Sequence, residues 1–294
     1  MKRILVTGCA GPVGVALGQQ LLAQGHYVIG VDINAKAPAP VSERHRIVSA
    51  SHPGMVQALY SIACRTRADL VIPTVSEELP VLARAVADGE FPTPTVISPP
   101  EGVDVANDKF FTMMALASKR IPVPLFGLPS EFVCLEDAFR ELGAPLILKP
   151  RVSRGGRGVQ VIDPGSRLDW ASLDDSLIVQ EFAPGTEFAP VVHMPRGTGE
   201  PRTFVLQKTG LKEGRVGNAT GVELVPSWRQ PAVGVLAART AAALCLTGPV
   251  DVDIRMRANG TPVVLEVNAR FGANSRSAPR LLEHVLCDFL PKVP

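Results

Sequence analysis

Four oxygen-bearing side chains occupy alternate positions in two apolar segments near the end of the chain: Asp251 and Asp253 in the first, Glu266 and Asn268 in the second. Between the segments stands Asn259-Gly260, a pair that signals a β-hairpin when apolar alternation flanks it. A two-residue loop at Asn259-Gly260 places Ala258 across from Thr261. Counting outward then puts Asp253 opposite Glu266 and Asp251 opposite Asn268. Side chains alternate along a strand, so all four lie on one face. Like charges directly across a ladder repel, and a cation between them relieves the repulsion. Oxygen ligands with no Cys or His nearby suit Mg²⁺ or Mn²⁺ better than zinc. The alternative is a solvated polar face on an edge hairpin.

Two lysines carry a second chemical signal. Lys149 ends the apolar run Leu146-Ile147-Leu148 and precedes Pro150. A lysine buried there needs an anionic partner, such as a phosphate, unless its stem lets the ammonium reach water. Lys109 follows Asn107-Asp108 at a helix start, where its charge opposes the helix dipole. Close behind Lys149 comes Ser153-Arg154-Gly155-Gly156-Arg157-Gly158, a loop whose N–H groups and guanidiniums suit outer phosphates or merely close a hairpin. Gln180-Glu181-Phe182-Ala183-Pro184-Gly185-Thr186-Glu187 reads as an apolar strand, a hinge and a second acid. Hinge backbone can pair with an adenine edge and Glu187 with ribose hydroxyls; alone, the segment is also a plain surface turn.

These residues need a scaffold to hold them. Over residues 1–107, strand signals at 3–7, 27–32 and 69–73 alternate with helical spacing at 13–24, 55–65 and 78–87, which predicts a parallel α/β sheet. A proline-rich stretch over 91–100 breaks the pattern and places a boundary near Asn107. Helices are expected from 109 to about 119, over 136–142, 231–246 and 278–289, with strands at 146–149, 159–162 and 177–182 and further strands before 225.

The first strand–helix turn is Gly8-Cys9-Ala10-Gly11-Pro12-Val13-Gly14, with Asp32 ending the second strand. That spacing resembles short-chain dehydrogenases and nucleotide-sugar epimerases, which leaves an NAD(P)-dependent enzyme as an alternative function. Such enzymes need a Tyr-x-x-x-Lys dyad. The two tyrosines, Tyr27 and Tyr60, are followed four residues on by Val31 and Cys64. The glycines then close a tight turn without a cofactor.

Composition excludes other classes. With 30 Lys and Arg against 28 Asp and Glu, the net charge of +2 leaves no footprint for nucleic acid or an anionic membrane. No apolar run reaches transmembrane length, and the apolar start after Met1-Lys2-Arg3 ends at Thr7-Gly8, too early for a signal peptide. Five dispersed cysteines read as buried, unpaired thiols in a reducing compartment. A cytoplasmic protein is expected.

In this order, Asn107-Asp108-Lys109, Leu148-Lys149-Pro150, 154–159, 179–187, 248–253 and 265–270 resemble the ATP-grasp superfamily, specifically its carbamoyl-phosphate-synthase-like carboxylate–amine ligases. The resemblance implies an α/β fold, α+β in its C-terminal part, in three lobes. These are a Rossmann-like pre-ATP-grasp domain at 1–107, a lid at 108–182, and a C-terminal lobe with the metal site at 183–294. Residue by residue, it implies that Lys109 and Lys149 contact ATP phosphates and that Gly155, Gly156 and Gly158 belong to the closing loop. Glu181, with the backbone of Phe182 and Ala183, would bind adenine and Glu187 ribose. Asp253, Glu266 and Asn268 would hold Mg²⁺ (or Mn²⁺), and Arg270 would stabilise charge on the transferring phosphoryl group, with Lys149 beside it. The implied reaction activates a small-molecule carboxylate as an acyl phosphate for capture by an amine, and a homodimer is compatible with it. Two departures stand out: Asp253 is shorter than the Glu or Gln common there, which leaves a second metal open, and Pro190 interrupts the strand after Glu187. Asn274, Arg276 and Arg280 either meet an acidic substrate or solvate a helix start.

Overall fold

Runs of three or four apolar residues bounded by turn residues make strands that can be buried on both faces. In a computed structural model, which describes residues 1–34 and 36–290, the N-terminal part is built that way. β1 (Arg3–Thr7), α1 (Pro12–Ala23), β2 (Tyr27–Asp32), β3 (Glu43–Arg46), α2 (Met55–Arg65), β4 (Leu70–Ile72) and α3 (Leu79–Ala87) follow in order. The four strands are parallel in the order β3-β2-β1-β4. Ile4 and Val6 pack with Leu17 and Leu21 of α1 on one face, while Leu5 and Val71 pack with Leu59 and Leu82 on the other. Covering both faces is the rule for parallel sheets.

The proline-rich stretch does not stay irregular. It leads into α4 (Pro100–Asn107), which is followed at once by α5 (Lys109–Ser118). Pro100 tolerates the first helical turn, where its missing N–H has no partner to lose. Asp108 caps α5, its carboxylate accepting from the N–H groups of Phe110 and Phe111.

β5 (Phe126–Gly127), α6 (Leu135–Leu142), β6 (Leu146–Pro150), β7 (Gln160–Ile162) and β8 (Leu177–Glu181) form a second unit. Its antiparallel sheet has the order β5-β8-β6-β7. Phe132, Leu135, Leu148 and Val179 fill its core.

The third sheet contains β9 (Glu187–Phe188), β10 (Val191–Met194), β11 (Arg202–Leu211), β12 (Ala219–Val225), β13 (Gly248–Met256) and β14 (Pro262–Asn268), with α7 (Pro231–Ala243) between β12 and β13. α8 (Arg280–Phe289) ends the described chain and turns Leu281, Leu282 and Val285 into the same core as Ile4 and Val6, tying the C-terminus to the first sheet. β9 and β10 are one strand divided at Pro190. Phe188 faces Gln207 and Ile254, Val191 faces Phe204 and Asp251, and the register does not slip between them. The Pro190 carbonyl still accepts from Val252 N–H at 3.0 Å, so the proline removes one donor and leaves the ladder in step.

The hairpin differs from its expected loop in an instructive way. The loop has three residues, not two: Arg257 N–H donates to Thr261 O at 2.8 Å, and Gly260 takes φ +79°. That loop alone would shift the pairing by one residue. A bulge at Leu265 takes up the difference, because Asp253 pairs with Glu266 while Ile254 pairs with Val264. Asp251 therefore faces Asn268 and Asp253 faces Glu266, as counted from the sequence.

Candidate functional site

The antiparallel sheets of the second and third units face one another across a seam, and the charged residues singled out above gather along it. Lys149 leaves β6 almost fully buried, and its ammonium donates to the Leu265 carbonyl at 3.1 Å. Leu265 is the residue that the bulge leaves without a partner in the β13–β14 ladder. Burial presses the Lys149 ammonium down to about 8; Glu266 opposes this and Lys109 adds to it. Lys109, 4% exposed, donates to Ser153 O at 2.9 Å and lies 3.9 Å from a Glu266 oxygen. It is held in place by its neighbour. Asp108 receives two hydrogen bonds from Arg151 Nε and one from Arg151 Nη2 at 2.7 Å, stapling the start of α5 to the end of β6.

The loop containing Gly155, Gly156 and Gly158 carries all three glycines at positive φ, between +63° and +74°. A Cβ on Gly158 would lie 2.9 Å from Pro150 Cγ. The loop is tethered on two sides: Asn218 Nδ2 donates to Gly155 O at 3.1 Å, and Arg154 pairs with Glu77 of the N-terminal unit.

Glu181 holds the hinge together. Arg257 grips its carboxylate through Nε at 2.8 Å and Nη2 at 2.6 Å, and Leu125 N–H donates to it at 2.9 Å. Partial burial pushes that carboxyl up, but these bonds win and hold it below its usual value. Gly185 presses against β13, where a Cβ would meet Met256 O at 2.6 Å. Phe182 lies beneath the Arg255 guanidinium, 4.8 Å from its ring centre, and Ala183 is buried.

Glu187, Asp253 and two unforeseen cations form a stripe across the third sheet. Gln207 faces Phe188, so Lys208 stands beside Glu187, while Arg255 is the partner of Glu187 on the other flank. Lys208 pairs with Glu187 and reaches Asp253 Oδ1 at 2.7 Å; Arg255 lies 3.6 Å from Glu187. Burial lowers the tendency of Lys208 to hold its proton, yet Asp253 and Glu187 outweigh it and raise its pKa above the usual ammonium range. Burial pushes the Glu187 carboxyl above its ordinary value.

Arg270 Nη2 lies 3.2 Å from Asn268 Oδ1, and its Nε donates to Ser76 Oγ at 2.9 Å, joining this site to the N-terminal unit. Asp251 is buried with Oδ1 unpartnered, and burial followed by Asp253 raises its carboxyl to about 7. Gly272 makes room for it: a Cβ there would sit 2.2 Å from Asp251 Oδ2.

Lys109, Lys149, Asp253, Glu187, Glu266, Asn268 and Arg270 are thus brought together. Glu181, Phe182 and Ala183 line the adjoining hinge. Arg276, in the 3-10 turn over Ala273–Ser277, and Arg280, at the start of α8, are both exposed. Lys208 and Arg255 went unnoticed in the sequence, although a lysine in the apolar strand containing Val205 and Leu206 is the same signal that marked Lys149. At the N-terminal glycine turn, the Asp32 carboxylate accepts from Ala10 N–H at 3.1 Å and from Asn34 N–H at 2.9 Å. Gly14 admits no side chain, since a Cβ would meet Gly8 O at 2.3 Å. These contacts close a turn. Among the described residues, no helix is long and apolar enough to cross a membrane.

Comparison with known proteins places these observations. Over 200 residues the chain is 26% identical to a D-alanine--D-alanine ligase of Aromatoleum aromaticum, covering 63% of each chain. Over 81 residues it is 31% identical to the carbamoyl phosphate synthase large chain of Mycobacterium tuberculosis, covering 28% of this chain and 7% of that one. The chain thus spans less than two thirds of the length of these relatives. An L-amino acid ligase from Bacillus licheniformis shares the fold, with a TM-score of 0.75 at 18% identity over 100% of this chain and 76% of the other. Residues 106–274 match the ATP-grasp domain family. The chain belongs to the ATP-grasp family.

Proposed function

We propose that this chain is an ATP- and divalent-cation-dependent ligase that joins a small-molecule carboxylate to an amine through an acyl phosphate. The observation that carries this reading is the meeting of Lys109 and Lys149 with the Glu266 end of β14, beneath a glycine loop that can close over a polyphosphate. The relatives' names as ligases support it. In this reading the lobes divide at 107 and 182, and nucleotide lies between the last two.

Each group has a task. The ammoniums of Lys109 and Lys149 meet the outer phosphates, and the glycine loop turns backbone N–H groups toward them. The hinge from Glu181 through Phe182 and Ala183 offers backbone to the adenine edge. Its shape is set by the Arg257 clamp on Glu181. Glu187, engaged by Lys208 and Arg255, would accept from the ribose hydroxyls. Asp253, Glu266 and Asn268 would hold Mg²⁺ or Mn²⁺, with the phosphates completing its shell; the cation would supply charge neutralisation of the triphosphate. The acidic pair Asp253–Glu266 on neighbouring strands and the orphaned oxygen of Asp251 fit a positive guest at this end of the hairpin.

A substrate carboxylate oxygen attacks the γ-phosphorus and ADP leaves. The amine then attacks the acyl carbon, phosphate leaves, and the amine gives up a proton as the amide forms. Arg270, anchored by Ser76 and set against Asn268, stabilises the charge that builds on the transferring group. No protein nucleophile is required.

Thermal-shift measurement with Mg·ATP and with NADP, followed by ADP release across a panel of carboxylate–amine pairs, tests the reading. Stabilisation by Mg·ATP, with ADP released only when both substrates are present, is the expected result. Stabilisation by NADP alone would overturn it in favour of the N-terminal glycine turn.

A further inference from the structure

A small pocket lies between the N-terminal unit, α4 and β14, where the steps above place nothing. From it we infer that the acid this chain activates carries a short, uncharged alkyl branch beside its carboxylate, about the size of a methyl group. This rests on the ligase reading above and names the class of acid within it.

The pocket has a polar mouth and an apolar floor. Ser76, Asn107 and Asn268 form the mouth and are partly exposed. Leu79, Val103, Ala106 and Val267 form the floor, and all four are buried. Arg270 ties two sides of the mouth together: its Nε donates to Ser76 Oγ at 2.9 Å and its Nη2 to Asn268 Oδ1 at 3.2 Å. A carboxylate held against that guanidinium stands at the entrance, and the substituent on its neighbouring carbon lies over the floor.

The floor selects by chemistry. Among the described residues, no charged side chain lines the pocket. A charged branch entering it would give up its hydration without a partner in return. A water or hydroxyl fares little better at the floor, where it meets only the side chains of leucine, valine and alanine. An alkyl group loses nothing there and leaves water behind.

The pocket also selects by size. Its volume is about 20 Å³, and one water-sized group needs roughly 10–15 Å³. A methyl group fills it. Each further methylene must push apart side chains that already belong to a packed core with Leu236 and Val264, and packed interiors yield poorly to added volume.

The test traps the acyl phosphate with hydroxylamine, so the natural amine need not be known. The hydroxylamine nitrogen attacks the acyl carbon, phosphate leaves, and a hydroxamate forms with loss of a proton. Simple, 2-hydroxy and 2-amino acids are offered with hydrogen, methyl, isopropyl or carboxymethyl on the carbon next to the carboxylate. In whichever series reacts, the methyl acid is expected to exceed the isopropyl and carboxymethyl acids by about tenfold or more in kcat/KM. Leu79→Ala deepens the pocket and should shift preference toward isopropyl by a similar factor, with the KM for ATP unchanged. That ratio compares two acids on one folded enzyme, so a loss of stability alone does not move it. Should Leu79→Ala fail to fold, Ala106→Val fills the pocket instead and should bring the methyl acid down to its unsubstituted parent. Equal rates across branch sizes, a preference for carboxymethyl, or a ratio unchanged in the variant would each overturn the inference and leave the ligase reading standing. No hydroxamate from any acid would remove both together.

Discussion

The Lys149 ammonium donates to the Leu265 carbonyl at 3.1 Å, at the residue where β14 bulges. The bulge keeps Asp253 opposite Glu266, and the residue it leaves without a ladder partner is the one whose carbonyl holds Lys149. Lys149→Ala should weaken nucleotide binding by roughly 1.5–3 kcal/mol, the worth of a hydrogen bond to a charged group. Calorimetric titration of Mg·ATP reads this directly, and an unchanged affinity removes the phosphate role.

The same lysine predicts a pH dependence. Its ammonium is pressed down to about 8, so it is charged below that pH and loses its proton above it. Nucleotide affinity should hold steady from pH 6 to 7.5 and fall as pH climbs past about 8. Lys149→Arg stays charged and should flatten the profile. An identical decline in both proteins assigns the titration elsewhere.

Glu266 is partly exposed, so its removal should spare the fold. Glu266→Ala should lower ATP turnover roughly a hundredfold or more, with a melting temperature near that of the parent. Turnover at the parent rate would remove Glu266 from the metal site.

Glu78 is buried beside Thr7, whose hydroxyl donates to it, and burial raises its carboxyl to about 7. An acid with a raised folded pKa keeps its proton in the folded state while the unfolded chain gives it up. Stability therefore falls as pH rises from about 4.5 to about 7 and stays lowered above that. The size is on the order of 3 kcal/mol at 1.36 kcal/mol per unit. Glu78→Gln keeps the acceptor for Thr7 and Val75 and should melt higher at pH 8, with little gain at pH 4.5. Asp251 keeps part of the slope, because its own shift has the same sign. Equal melting of parent and variant at both pH values would contradict the assignment.

Gly158 combines φ +74° with Pro150 Cγ 2.9 Å from its would-be Cβ. Gly158→Ala should cost about 1–2 kcal/mol and raise the KM for ATP by displacing the loop. An unchanged KM would detach the loop from nucleotide binding.

Much of this was legible in the sequence, for identifiable reasons. Period-two alternation fixed the acidic face of the hairpin, and buried apolar runs marked β1, β2, β4, β6 and β8. The helix start at Asn107-Asp108 is legible because capping chemistry is local, and the structure makes Asp108 the cap. Of the five cysteines expected to be buried, Cys9 is, while Cys64, Cys245 and Cys287 are exposed. Other features depended on tertiary contacts. The two-residue loop was miscounted because Asn259-Gly260 also suits a three-residue turn; the bulge at Leu265 cancelled the error. β3, with its sequence Glu43-Arg44-His45-Arg46, is a polar edge strand without periodicity, recognised only by its pairing with β2. α4 hid behind Pro99-Pro100, where proline served as a helix start. Lys208 carries the same buried-lysine signal as Lys149, but its pairing with Glu187, and that of Arg255, crosses three strands and has no sequence spacing. Pro190 was expected to weaken its strand, and the cost is a single ladder donor.

A crystal grown with Mn²⁺ and a non-hydrolysable ATP analogue tests the central claim most directly. The account predicts an anomalous peak about 2.1 Å from a Glu266 carboxylate oxygen, with the triphosphate between Lys109 and Lys149 under the 155–158 loop. A nucleotide seated at Gly8–Gly14, with Glu266 bare of metal, would contradict it.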